Sequence, residues 1–137
     1  MQRRSFYRVN VPHSTAGFCA LIVHNGKRIN LAIQNISVGG VCLYGRDPLI
    51  AALQRHQTVR QVSFSLGDYL RFETDIFIID KTVRLEQGKG EVTNLHIRFE
   101  NLPPRQEVAL QRSIYQLEMS VRYPGVAEKP RVVILKR

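Results

Sequence analysis

Between Leu70 and Ile78 the chain alternates: Leu70, Phe72, Thr74, Ile76 and Ile78 share one parity, and Arg71, Glu73 and Asp75 take the other. A helix would scatter these side chains around its axis, whereas a strand puts each set on its own face, so the segment predicts a β-strand with one face in a core. The period returns at Thr93, Leu95, Ile97 and Phe99, with His96 and Arg98 facing out. Ile29, Leu31 and Ile33 repeat it against Asn30 and Gln34, as do Val62, Phe64 and Leu66 within Arg60 to Leu66. Phe18 to His24 and Val41 to Tyr44 are apolar runs of strand length, and Lys81 to Leu85 continues as strand. Asn25-Gly26 is a strong hairpin signal, and Gly67-Asp68 and Gln87 to Gly90 are further turns. Short strands joined by tight turns predict an antiparallel barrel or sandwich.

The pattern changes at Pro103-Pro104, after which no Gly or Pro interrupts the chain up to Tyr123. Leu110, Ile114, Leu117 and Val121 fall on one helical stripe, most simply core packing. Asp47-Pro48 predicts a short helix through about Arg55, with Pro at its first position. The expected fold is mainly β: a small antiparallel barrel of about six strands with a C-terminal α-helix. Residues 1–122 form the domain, with an arginine-bearing flexible leader over 1–12 and the helix over 103–122. Residues 123–137 are a tail whose Val132 to Leu135 run reads as a final strand or an interaction segment.

Charge narrows the partner. The 137 residues carry 20 Lys and Arg against 11 Asp and Glu, a formal net charge of +9. That favours an anionic partner: a nucleotide, a nucleic acid, an anionic lipid or an acidic protein surface. Cys19 and Cys42 have neither metal nor redox-motif spacing and read as buried free thiols. His13, His24, His56 and His96 are scattered, and none is assigned a function. No run approaches the ~18 apolar residues of a membrane span, and the N-terminus lacks a signal-peptide core, so a cytoplasmic protein is expected. No nucleophile, phosphate-loop or metallohydrolase signature is present; a non-enzyme without metal or cofactor is expected.

Two short segments remain. Arg4 and Arg8 frame an RxxxR preceded by Arg3, and Asn35 to Gly40 is an NxSxxG with Gly39 and Gly40 doubled. Alone, the first reads as a solvated basic leader or an RNA-contacting arm, and the second as an ordinary turn. Together, one hairpin apart and ahead of a barrel and a helix, they resemble the paired RxxxR and [D/N]xSxxG signatures of the PilZ domain family. The likeness is greatest to the PilZ half of the flagellar brake proteins, whose C-terminal helix Leu110 to Arg122 resembles. It covers roughly residues 2–122.

The resemblance implies a receptor for cyclic di-GMP. Arg4 and Arg8 would take guanine and phosphate, Asn35 and Ser37 the base edge, and Gly39 and Gly40 the turn. The chemistry is apt: a guanidinium fork suits both phosphate oxygens and the guanine O6/N7 edge, and it stacks on bases. Glycine lets backbone N–H groups approach closely and permits positive φ. Asn35 is in phase with Ile29, Leu31 and Ile33 at the end of their strand, which puts it at a barrel rim. Arg3 resembles the residue type that accommodates two ligand molecules per chain. The family also implies a protein partner such as the flagellar motor switch, with recruitment to the flagellar base; self-association through the helix is a secondary expectation. Membrane insertion and nucleic-acid binding are not expected. Two alternatives stay open: a basic small-barrel nucleic-acid binder with steep salt dependence, and a ligand-independent interaction module to which Arg4→Ala is neutral.

Overall fold

The alternation in the sequence closes into a barrel. The computed structural model describes residues 8–11 and 17–122; Arg3, Arg4, His13 and the 123–137 tail lie outside them. The strands are β1 (Val9–Asn10), β2 (Phe18–His24), β3 (Lys27–Ile36), β4 (Gly40–Gly45), β5 (Thr58–Leu66), β6 (Leu70–Glu86) and β7 (Gly90–Glu100). A 3-10 turn, Pro48–Ala52, follows β4, and helix α1 (Pro104–Arg122) follows β7. The order β3-β2-β5-β6-β7-β4 is antiparallel throughout, and β4 pairs back onto β3, so six strands close a ring. The short β1 is an additional strand, laid on Asn35 and Ile36 of β3.

The inward parity fills the ring. Phe64, Phe72 and Phe99 meet with ring centroids 5.1 to 5.6 Å apart, among Ile22, Leu31, Ile76, Leu95 and other buried aliphatics. Tight turns join the strands: Asn25 and Gly26 have φ of 52° and 74°, both positive as a two-residue hairpin turn requires. Helix α1 adds Leu110, Ile114 and Leu117 to the core, and the Tyr69 hydroxyl donates to Ser120 Oγ at 3.1 Å near its far end.

Four details differ from the sequence expectation. Val121 is 46% exposed, and the buried helical stripe is completed by Gln106 and Ser113 instead. The turn after Asp47 stops at Ala52 because Leu53 goes extended into the core. Asp75 keeps the outward parity but is not exposed; it is buried, and its carboxylate accepts the Gln61 N–H at a bulge in β5. Lastly, the chain is not a loose leader at residues 8–11. Val9 and Val11 are buried, and the Val11 N–H donates to Gln34 O at 2.9 Å.

Candidate functional site

A bulge decides where Asn35 points. The β3–β4 register shifts between Ile33 and Asn35, which breaks the phase expected from Ile29, Leu31 and Ile33. Ile36, not Asn35, takes the next core position. Asn35 is thereby turned out of the core, opposite Asn10 on β1 and Cys42 on β4. Arg8 precedes β1 on the outward parity, and its Nη1 donates to Asn35 Oδ1 and lies 3.7 Å from Cys42 Sγ. Two motif residues 27 positions apart are thus in contact.

The glycine-bearing loop lies alongside. The Ser37 backbone N–H donates to Gly40 O at 2.9 Å, and the Ser37 hydroxyl donates to the same oxygen at 3.3 Å. Phe99 N–H donates to Gly39 O at 3.0 Å, tying the loop to β7. Gly40 is required by space, not by φ. A Cβ there would sit 2.1 Å from Ile97 O, far inside van der Waals contact, so only glycine lets β4 approach β7 this closely.

These segments form one wall of an open cleft of about 640 Å³, within the ~300–1,000 Å³ of small-molecule sites. Arg8, Ser37, Gly39 and Gly40 line it with His96 and Arg98 of β7, Leu102, and Glu107 of α1. Arg98 lies 4.6 Å from the Phe77 ring centre, and His56 stacks on the same ring at 6.0 Å. Burial, then the charge of Arg8, holds the His96 imidazole below its ordinary value of 6.5, against an upward pull from Asp80. The cleft therefore offers an anion fixed cations, a backbone-lined floor and an imidazole that is neutral near pH 7.

Sequence reading put His96 and Arg98 on the outward face but gave them no role. Their place in the cleft follows from the pairing of β7 with β4, which no local pattern announces. For Arg8 a signal was present: Arg8-Val9-Asn10-Val11 already alternates in the manner of a strand. Among the described residues no cluster of His, Cys, Asp and Glu could hold a metal ion, and no helix is long and apolar enough to cross a membrane.

Known proteins share this fold. The fold superposes on the PilZ domain of YcgR from Escherichia coli with c-di-GMP, at a TM-score of 0.75 and 24% identity, over 88% of this chain and 95% of that one. It also superposes on the K. pneumonia MrkH–c-di-GMP complex, at a TM-score of 0.77 and 17% identity, over 90% and 55% of the two chains. In sequence it is 32% identical over 122 residues to the flagellar brake protein YcgR of Yersinia pseudotuberculosis, covering 86% of this chain and 48% of that protein. The Escherichia coli YcgR is 28% identical over 126 residues, covering 89% and 52%. The chain spans about half the length of the curated relatives it matches. The PilZ domain model matches residues 2–116, and with the barrel and helix of that fold, the chain belongs to the PilZ domain family.

Proposed function

We propose that this chain is a cyclic di-GMP receptor domain, with Arg3, Arg4, Arg8, Asn35, Ser37, Gly39 and Gly40 as its ligand site. The observation that carries the reading is the Arg8 guanidinium, held by Asn35 Oδ1 and Cys42 Sγ at the edge of a cleft lined by Ser37 to Gly40. Neutral acceptors orient the fork without cancelling its charge, which suits a ligand with two phosphates and two guanine edges. Solved PilZ relatives that hold c-di-GMP support the ligand class. Arg3 and Arg4 precede Arg8 by a few residues and bring further guanidinium groups to the same charge. With Arg3 present, the reading extends to two ligand molecules per chain.

Binding recruits the arginines that precede β1 to the ligand and changes the surface presented to a protein partner. A ligand moves such an equilibrium only through its different affinity for the two states, and the arginine contacts supply that difference. Named relatives are flagellar brake proteins, so we assign the output to control of motility through a partner at the flagellar motor, in the cytoplasm. No catalytic role is assigned: the site carries cations and hydrogen-bonding groups, and among the described residues no hydrogen bond joins Cys42 to His96. Isothermal titration with cyclic di-GMP, beside linear pGpG and GTP, tests the reading. The expected result is selective binding at two ligands per chain, lost in Arg4→Ala and Arg8→Ala; a stoichiometry near one sinks the two-ligand reading, and the absence of binding sinks the receptor.

A further inference from the structure

A polar row crosses the outer face of the barrel at the cleft. Asn10, Asn35, Cys42, His96 and Asp80 are cross-strand partners in turn, on β1, β3, β4, β7 and β6. One end is positive, where Arg8 lies over Asn35 and Cys42. At the other end Arg55 pairs with Asp80 at 2.7 Å. His96 stands between them and lines the cleft. The groups that face it are Arg8 before β1, Cys42 on β4 and Asp80 on β6, with Glu107 of α1 and Arg98 of its own strand on the same cleft. Among the described residues no hydrogen bond engages the imidazole. It is a half-buried donor and acceptor between the Arg8 guanidinium and the Asp80 carboxylate.

We propose that His96 is a ligand-contact residue of this cleft, giving an imidazolium N–H to a phosphate of the bound dinucleotide and taking up one proton from solvent as the ligand binds. The inference rests on the receptor reading above. In the free protein, burial and Arg8 hold the imidazole neutral near pH 7. A dianionic ligand reverses that field: its phosphates offset Arg8 and face the ring with negative charge, which favours the charged imidazole with its two N–H donors. The proton balance is simple, with one proton taken from solvent per charged ring and no bond made or broken in the ligand. Affinity then rises as pH falls from the bound-state to the free-state ionisation of His96, by at most ~10-fold per pH unit for one proton. Above both values the ring is neutral in both states and the dependence vanishes. His96 therefore makes the receptor a coincidence detector for cyclic dinucleotide and acidity.

The test is calorimetric. Cyclic di-GMP is titrated into the full chain at about pH 6, about 7 and about 8, in buffers of different ionisation heat, to count protons taken up. His96→Asn and His96→Gln are measured beside it, with thermal melting to confirm that both fold. The wild type should take up a measurable fraction of a proton at about pH 7 and bind several-fold more tightly at about pH 6 than at about pH 8. Both variants should lose the uptake and the pH dependence, and should bind more weakly than wild type at about pH 6. Tight binding with no proton uptake in the wild type, or uptake that persists in His96→Asn, overturns the role of His96 and leaves the receptor standing. No binding by the wild type at any pH overturns both.

Discussion

The same outer face carries two arginine sites, and they are built differently. At the cleft, Arg8 is held by an amide oxygen and a thiol. Farther along β4 and β7, a second hollow of about 490 Å³ is lined by Arg46, Arg84, Lys89, Asn94 and Gln34. There the arginines already have an anion: Glu86 pairs with both Arg46 and Arg84, and Arg46 also donates to Lys89 O. Asn94 completes the network, accepting from Arg84 Nε and donating to Gln34 Oε1. An arginine whose charge is matched within the protein has little to gain from an incoming phosphate. One held by neutral acceptors keeps its charge available. Counting the Lys and Arg among the described lining residues would rank the second site higher; asking what Arg8 and Arg46 are bonded to ranks the first.

The sharpest break of that comparison is Arg8→Ala against Arg46→Ala. Removing Arg8 should weaken cyclic di-GMP binding at least ~100-fold, about 3 kcal/mol, as expected for a direct charged contact; removing Arg46 should change affinity less than ~2-fold. Titration calorimetry on both variants decides it, and equal losses would end the distinction. Next is Gly40→Ala. The first site has a backbone floor, with Gly40 against Ile97 O, whereas the second is floored by the buried side chain of Val92. The added methyl should lower folding stability by about 1–3 kcal/mol in urea denaturation, as overpacking does.

Cys42→Asp would give Arg8 the kind of partner Arg46 has, and should weaken binding about 10-fold with little change in melting temperature. The smallest effect belongs to Glu86→Gln at the surface: unchanged cyclic di-GMP affinity and a melting shift within ~3 °C. The two sites should also separate by pH in the ligand-free protein. His96 is held below 6.5, so the unfolded chain protonates it more readily; stability is whole above pH 6.5 and declines as pH falls below it. The hydrogen bond from Arg46 holds Glu86 below 4.5, so its contribution is present above pH 4.5 and is lost only as pH falls through the lower folded value. On acidification, stability should decline first from His96, and Glu86→Gln should not alter that first step.

Much of the barrel was legible because its inward faces alternate over long stretches, as at Leu70 to Ile76 and Leu95 to Phe99, and its turns carry the residues their φ demands. Bulges were not legible. The shifts at Ile33/Asn35 and Val59/Val62 each reverse the parity of the buried residues, and nothing in residue type marks them; hence Asn35 takes the phase of the core in the sequence, whereas Asp75 keeps the outward parity between Thr74 and Ile76 but is buried against the bulge at Gln61. The half of the cleft lined by Arg8, Ser37, Gly39 and Gly40 could be named from the motif spacing. The β7 half could not, because His96 enters the site through pairing with Cys42, 54 positions earlier. The roles expected for Gly40 are positive φ and close backbone approach to a ligand, and the structure shows close approach to a neighbouring strand, at Ile97 O: the proximity of that backbone cannot be read from a turn signature.

The central claim is that the Arg8 guanidinium, its fork oriented by Asn35 and its charge matched by no carboxylate there, makes this cleft a cyclic di-GMP site. Its most direct test is the titration of cyclic di-GMP into wild type and Arg8→Lys at fixed pH and salt. Lysine keeps the charge but lacks the planar fork that Asn35 orients and that a guanine edge requires. Selective binding by the wild type with at least ~10-fold loss in Arg8→Lys is the predicted result. Equal affinity in the two, or wild-type binding no tighter than that of GTP, would contradict the account.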